Sequence, residues 1–162
     1  MAVVMPQGVL FRGNEEGRIR EKLVKSDLVE AIVTLGDKLF YGTGLSPCFM
    51  ILRRLKPAAH SARVLMIDGT KILTAKRAQN ILLPEDVDRL YELYCKYEDI
   101  EDFSKVVTID DIAAKGYDLS PNKYVNYHKE EIRPYAEVLA EFKAAYEEVL
   151  KREAEFEKLI NA

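Results

Sequence analysis

The chain has 162 residues, the size of one ordinary domain, and by surface-to-volume scaling such a chain buries roughly 70% of the surface its unfolded form exposes. With 48% hydrophobic and 31% charged residues it reads as a soluble globular protein, which excludes a disordered tail, a collagen-like repeat and a disulfide scaffold. The net charge of −3 hides an asymmetry: residues 1–80 hold 13 Lys/Arg against 7 Asp/Glu, giving +6, and residues 81–162 hold 11 against 20, giving −9.

Ala2-Val3-Val4-Met5 is an apolar, β-branched run that stops at Pro6-Gln7-Gly8, the pattern of a buried strand ending in a turn. A core strand at the first residues predicts that a segment of sheet precedes it. Residues 8–17 read as a loop. Ile19, Leu23, Val24 and Leu28 then recur at helical spacing and predict an amphipathic helix over 15–26. Two apolar runs, residues 28–35 ending at Gly36-Asp37 and residues 48–52 ending at Arg53-Arg54, predict core strands. Between them Gly42 and Gly44 leave Phe40 and Tyr41 on a loop. A third strand is expected over 63–68 and closes the α/β part. A helix follows over 84–97, then a short element from Val106, and loop-like text from Gly116 to Tyr127.

The last segment carries the clearest periodicity. Tyr135, Phe142, Val149 and Phe156 fall seven apart, and Leu139, Tyr146, Glu153 and Ile160 form a second series offset by four, an a/d heptad with one charged break. Its apolar seam is narrow and its other faces are rich in Glu, Lys and Arg, so it is expected to pack against another helix, from a second molecule or an adjoining segment.

No catalytic constellation converges. His60 and His128 lack partners at metal-ligand spacing and read as surface histidines, so no metal site is expected. Cys48 and Cys95 read as core or half-buried thiols. With no CxxC and no leader at the start, they place the chain in a reducing cytoplasm. Asp68, at a strand end, reads as a turn-capping carboxylate. The longest uncharged stretch, residues 39–52, is too short and too interrupted by Gly and Pro to span a bilayer, so no membrane partner is expected.

The segments Val3-Val4-Met5-Pro6-Gln7-Gly8-Val9-Leu10-Phe11-Arg12-Gly13, Gly17-Arg18-Ile19-Arg20 and Leu39-Phe40-Tyr41-Gly42-Thr43-Gly44-Leu45-Ser46-Pro47-Cys48 resemble the modification subunit of type I restriction-modification systems, the N6-adenine DNA methyltransferases. Val64-Leu65-Met66-Ile67-Asp68, Gln79-Asn80 and Tyr117-Asp118-Leu119-Ser120-Pro121-Asn122-Lys123-Tyr124-Val125 resemble later landmarks of that family in the same order, so the likeness covers most of residues 2–125.

The resemblance implies the C-terminal part of a doubly wound α/β sheet ending in an antiparallel hairpin, followed by a helical region and a long coiled-coil-like helix. It divides the chain into a partial methyltransferase-like domain over 1–75, a helical and loop extension over 76–129 and an amphipathic helix over 130–162. It implies DNA as substrate of the complete complex and S-adenosylmethionine as its cofactor. The family's glycine-rich cofactor loop and Asn-Pro-Pro-aromatic motif are not in this sequence, whose six prolines are never adjacent. The chain alone is therefore expected to bind no cofactor and to be inactive, with no catalytic residue of its own.

Carried over residue by residue, Phe40, with Tyr41 as the alternate, matches the aromatic that stacks on a flipped base, and the rival reading has Phe40 plugging the hairpin core. Pro6, Gln7 and Gly8 match the strand end bordering the active-site cleft. Arg12, Arg18 and Arg20 stand where they would meet phosphates or merely face solvent. The implied partners are a specificity subunit or the missing N-terminal methyltransferase portion, with a homo-oligomer also open. The other function class is an interaction module, in which the heptad helix docks or self-associates without catalysis.

Overall fold

The structure is a computed structural model that describes residues 1–77, 79–128 and 135–160, with backbone alone at 154, 155 and 157–160. Two compact units divide it, residues 1–128 and residues 129–162.

The first unit is built on a mixed five-stranded sheet. Its strands are β1 (Ala2–Pro6), β2 (Val29–Leu35), β3 (Pro47–Leu52), β4 (Arg63–Gly69) and β5 (Ser104–Thr108), in the order β1-β3-β2-β4-β5. β3 is antiparallel to both β1 and β2, β4 is parallel to β2, and β5 is antiparallel to β4, so β1, β2 and β4 all run the same way. The expected hairpin is the β2/β3 pair.

Two expectations need correction. The sheet does not end at that hairpin, because β4 and β5 continue it on the far side of β2. Its fifth strand also comes from residues 104–108, beyond the boundary set at residue 75, so the α/β part and its extension share one hydrogen-bonded ladder. β1 occupies an edge of the sheet, with the antiparallel β3 between it and β2.

β2 is buried along its whole length, as a central strand covered on both faces must be. Alternation sorts its side chains: Ile32 joins Val64 and Met66 on one face, and Ala31, Val33 and Leu35 join Leu65 and Ile67 on the other. Val24 of helix α1 (Asn14–Lys25) and Ile112 of α3 (Ile109–Ala114) cover the first face. Leu90 and Leu93 of α2 (Pro84–Lys96) cover the second. Thr108 caps α3, its hydroxyl accepting from the Asp111 N–H at 3.2 Å and donating to the Asp111 carboxylate at 2.6 Å.

The second unit is helix α4 (Tyr135–Ile160). Phe142 and Tyr146 stack along it with ring centroids 6.3 Å apart, and Arg152 pairs with Glu148 one turn back at 2.6 Å. Within this unit by itself the expected burial of the seam is not met: Tyr135, Phe142, Tyr146, Val149 and Phe156 are exposed and Leu139 is half-buried. The side chain of Ile160 lies outside the described residues. No helix among the described residues is long and apolar enough to cross a membrane.

Candidate functional site

The carboxyl ends of β1, β2 and β4 lie at one edge of the sheet, where open α/β folds hold their ligands. At the end of β1, Gln7 accounts for two of its polar groups: its backbone N–H donates to the Ser46 carbonyl at 3.1 Å and its side chain to the Leu35 carbonyl at 3.1 Å. This fixes the strand end against the β2–β3 loop. Beside it Met5, Pro6, Phe40 and Pro47 line a shallow apolar cleft of about 160 Å³. Phe40 is 50% exposed, so it is not a plug in the hairpin core, and Tyr41 is 92% exposed.

The loop that carries the two aromatics is laced to the segment before α2. The Asn80 N–H donates to the Lys38 carbonyl, the Gln79 side chain to the Leu39 carbonyl and the Asn80 side chain to the Asp37 carbonyl, each at 3.0 Å. Gly42 takes a positive φ of 73°, which turns the chain behind Tyr41.

A larger polar cleft of about 420 Å³ adjoins Gln7 and is lined by Thr34, Asp68, Thr70, Asp118, Ser120 and Lys123. Its carboxylates are satisfied from within. Asp68 accepts from the Thr70 N–H at 3.0 Å, the Thr70 hydroxyl at 2.6 Å, the Thr34 hydroxyl at 3.5 Å and the Tyr127 hydroxyl. Burial and then the bond to Asp68 push the Tyr127 phenol above its ordinary value. Asp118 accepts from the Ser120 N–H at 2.8 Å and pairs with Lys123. Burial alone would raise the Asp118 carboxyl, but the bonds from Lys123 and Ser120 outweigh it and the net shift is downward.

The three candidate arginines separate. Arg20 is 5% exposed and donates from Nη1 to the carbonyls of Arg12 at 2.6 Å and Val9 at 2.9 Å and from Nε to that of Tyr117 at 3.1 Å, so it clasps the segment after β1 to the residue 117 turn. Burial lowers its basicity, with Asp118 and Glu16 opposing. Arg12 lies over Gly8, where a Cβ would stand 2.6 Å from the guanidinium carbon, and it faces Glu16 at 3.8 Å. Arg18 pairs with Glu15 at 3.0 Å on the surface.

The N-6 DNA Methylase family model matches residues 1–132. The chain belongs to that family. It is 36% identical over 128 residues to the methylase subunit of the type I restriction enzyme MjaVII of Methanocaldococcus jannaschii, covering 77% of this chain and 22% of that protein. It is also 36% identical over 167 residues to the MjaIX methylase subunit of the same organism, covering 98% of this chain and 30% of that protein. The crystal structure of the type I restriction-modification methyltransferase subunit from Streptococcus thermophilus superposes with a TM-score of 0.72 at 30% identity, over 78% of this chain and 26% of that one. This methylase-family chain thus spans less than a third of the length of these relatives.

The family's cofactor does not fit the residues described. Gly42 and Gly44 lead into strand β3 and not into a helix whose N-terminus would receive the ligand, and the Asp68 carboxylate at the end of β4 is bonded to Thr34, Thr70 and Tyr127.

Elsewhere in the methylase unit two sequence expectations change. His60 is not a surface histidine: it stacks on Tyr97 at 3.6 Å, and its Nδ1 lies 3.1 Å from the carboxylate of buried Glu30, which Arg53 also meets at 2.8 Å. Sequence reasoning missed this cluster because residues 30, 53, 60 and 97 converge only after the sheet forms. Cys95 is exposed, whereas Cys48 is buried in the core, where burial pushes its thiol up to about 11. Among the described residues no group of three or more metal-ligating side chains forms.

Proposed function

We propose that this chain supplies the target-base side of the active-site cleft of a type I modification subunit, an S-adenosylmethionine-dependent DNA adenine-N6 methyltransferase. The observation that carries the reading is the half-exposed Phe40 beside Pro6 at the carboxyl edge of the sheet. A base turned out of a duplex loses its stacking, and a loop aromatic held by backbone bonds restores it, at about 1–3 kcal/mol per stacked base. Tyr41 is the alternate platform. The chain is inactive alone, because the cofactor loop and the Asn-Pro-Pro-aromatic motif belong to the part of the subunit outside it.

The outer edge of β1 pairs with nothing among the described residues and is where the missing N-terminal methyltransferase portion would add its strands, completing a doubly wound sheet. The assembled subunit acts on DNA in the cytoplasm beside a specificity subunit.

Two measurements test this. Titration calorimetry with S-adenosylmethionine and the 162-residue chain gives no saturable isotherm, and a clear isotherm overturns the division of labour. Co-expression with the missing portion of a type I methylase subunit restores adenine methylation of plasmid DNA, and Phe40→Ala in that complex slows it. Unchanged methylation removes Phe40 from the site.

A second reading, an interaction module, is favoured by the exposed apolar residues of α4. Such a seam forms a coiled coil with a specificity subunit or a second copy. A clean monomer by sedimentation at tens of micromolar rules out the second copy.

A further inference from the structure

We propose that residues 74–77, bridged at Thr74 to Ile81, together with the aromatic loop that Gln79 and Asn80 buttress, are a docking surface for the phosphate backbone of duplex DNA, with Lys76 and Arg77 as the principal contacts. The inference rests on the reading of Phe40 as a base platform and adds the cations that hold the strand beside it.

Thr74 and Ile81 pair across the loop, N–H to carbonyl at 2.9 Å and 3.0 Å, which projects Lys76 and Arg77 into solvent. The base of this loop is the segment whose Gln79 and Asn80 hold the backbone of residues 37–39, so the cations and the aromatics Phe40 and Tyr41 are carried by one laced assembly. Lys38, exposed on the aromatic loop, and Lys71, exposed on the turn after β4, add to the same side: a Cβ on Gly36 would meet Leu73 at 2.2 Å and the Thr70 carbonyl at 2.9 Å, so that turn packs against the start of the aromatic loop.

These cations differ from the arginines first singled out. Arg12 and Arg18 face Glu16 and Glu15, and Arg20 is buried on three carbonyls. Lys38, Lys71, Lys76 and Arg77 meet no carboxylate among the described residues. The nearby Asp37 is engaged by the Asn80 side chain at 3.3 Å. Exposed cations without internal counter-charges, flanking two solvent-facing aromatics, match a backbone that presents phosphates on either side of an extruded base.

The test is the salt dependence of binding to a short fluorescent duplex by the 162-residue chain, read by anisotropy. Each phosphate contact contributes about −0.9 to the slope of log K against log salt, so Lys76→Gln with Arg77→Gln is expected to make the slope shallower by about 2. Arg12→Gln with Arg18→Gln is expected to leave the slope as it is. The loop substitutions sit on exposed side chains, and an unchanged melting temperature certifies the fold.

A parent chain without salt-sensitive binding, or a loop variant with the parent's slope, overturns the proposal. Phe40→Ala separates it from the reading beneath it. If that variant keeps the full slope but loses preference for a duplex with a mispaired adenine, both stand. If it keeps slope and preference alike, the phosphate surface stands and the base platform falls.

Discussion

Leu65 and Met66 on β4 have no exposed surface, whereas Phe142, Val149 and Phe156 on α4 each expose more than half of theirs. The two units spend equally apolar residues in opposite ways. In the sheet unit, period-two alternation feeds two faces that α1, α3 and α2 cover, so β2 and the centre of β4 are buried within the unit. In α4 the period is that of a helix with a narrow seam, and the residues of that seam are exposed on the helix. Hydrophobic pattern therefore tells where apolar surface will be, and only the packing tells whether the same molecule covers it.

The largest effect expected from this contrast is on β4. Met66→Ala removes a fully buried side chain and should cost about 2–5 kcal/mol of unfolding free energy, measured by urea denaturation of the full chain. A loss near zero would mean that the sheet core is fluid and the contrast false.

A smaller, pH-dependent effect lies at Asp118. Its folded-state value lies below the ordinary 3.8, so its contribution is present above that value and lost as pH falls through the lower folded one. Asp118→Asn should be less stable than the parent at neutral pH, and the difference should close in acid. A difference that persists unchanged in acid would show that the Lys123 and Ser120 contacts do not depend on the charge.

The smallest effect is expected on α4. Phe142→Ala with Val149→Ala should leave the unfolding midpoint of the free chain within about 0.5 kcal/mol of the parent, as exposed positions do. If the pair costs as much as Met66→Ala, the seam is covered in solution and the helix belongs with the buried class. If stability is unchanged but sedimentation shows the variant dissociating from an assembly the parent forms, the seam is an interface and the comparison sharpens.

Several features were legible before any coordinates. Apolar runs marked β2, β3 and β4 to within a residue or so, because a strand buried on both faces must be continuously apolar. The punctuation of Gly36, Gly42, Gly44 and Pro47 marked the loop that bears Phe40 and Tyr41. Asp68 was read as a turn cap, and its bonds to the Thr70 N–H and hydroxyl are such a cap. The family, too, was legible, because its motifs are contiguous stretches of sequence.

Tertiary structure decided what local pattern cannot encode. Strand order is set by pairing between distant segments: β3 lies between β1 and β2, and β5 reaches back to β4 from 37 positions on, counted from Ile67 to its ladder partner Ser104. A charged side chain's partners are likewise distant. In sequence Arg20 reads as a surface cation beside Arg18, yet it is buried with Nε and Nη1 bonded to backbone carbonyls, while Lys76 and Arg77 look the same in sequence and are exposed. Composition and periodicity determine which segments must hide from water. Which face, which neighbour and which charge remains available follow from how those segments close on one another, since hydrogen-bond and ion-pair geometry is satisfied in space and not along the chain.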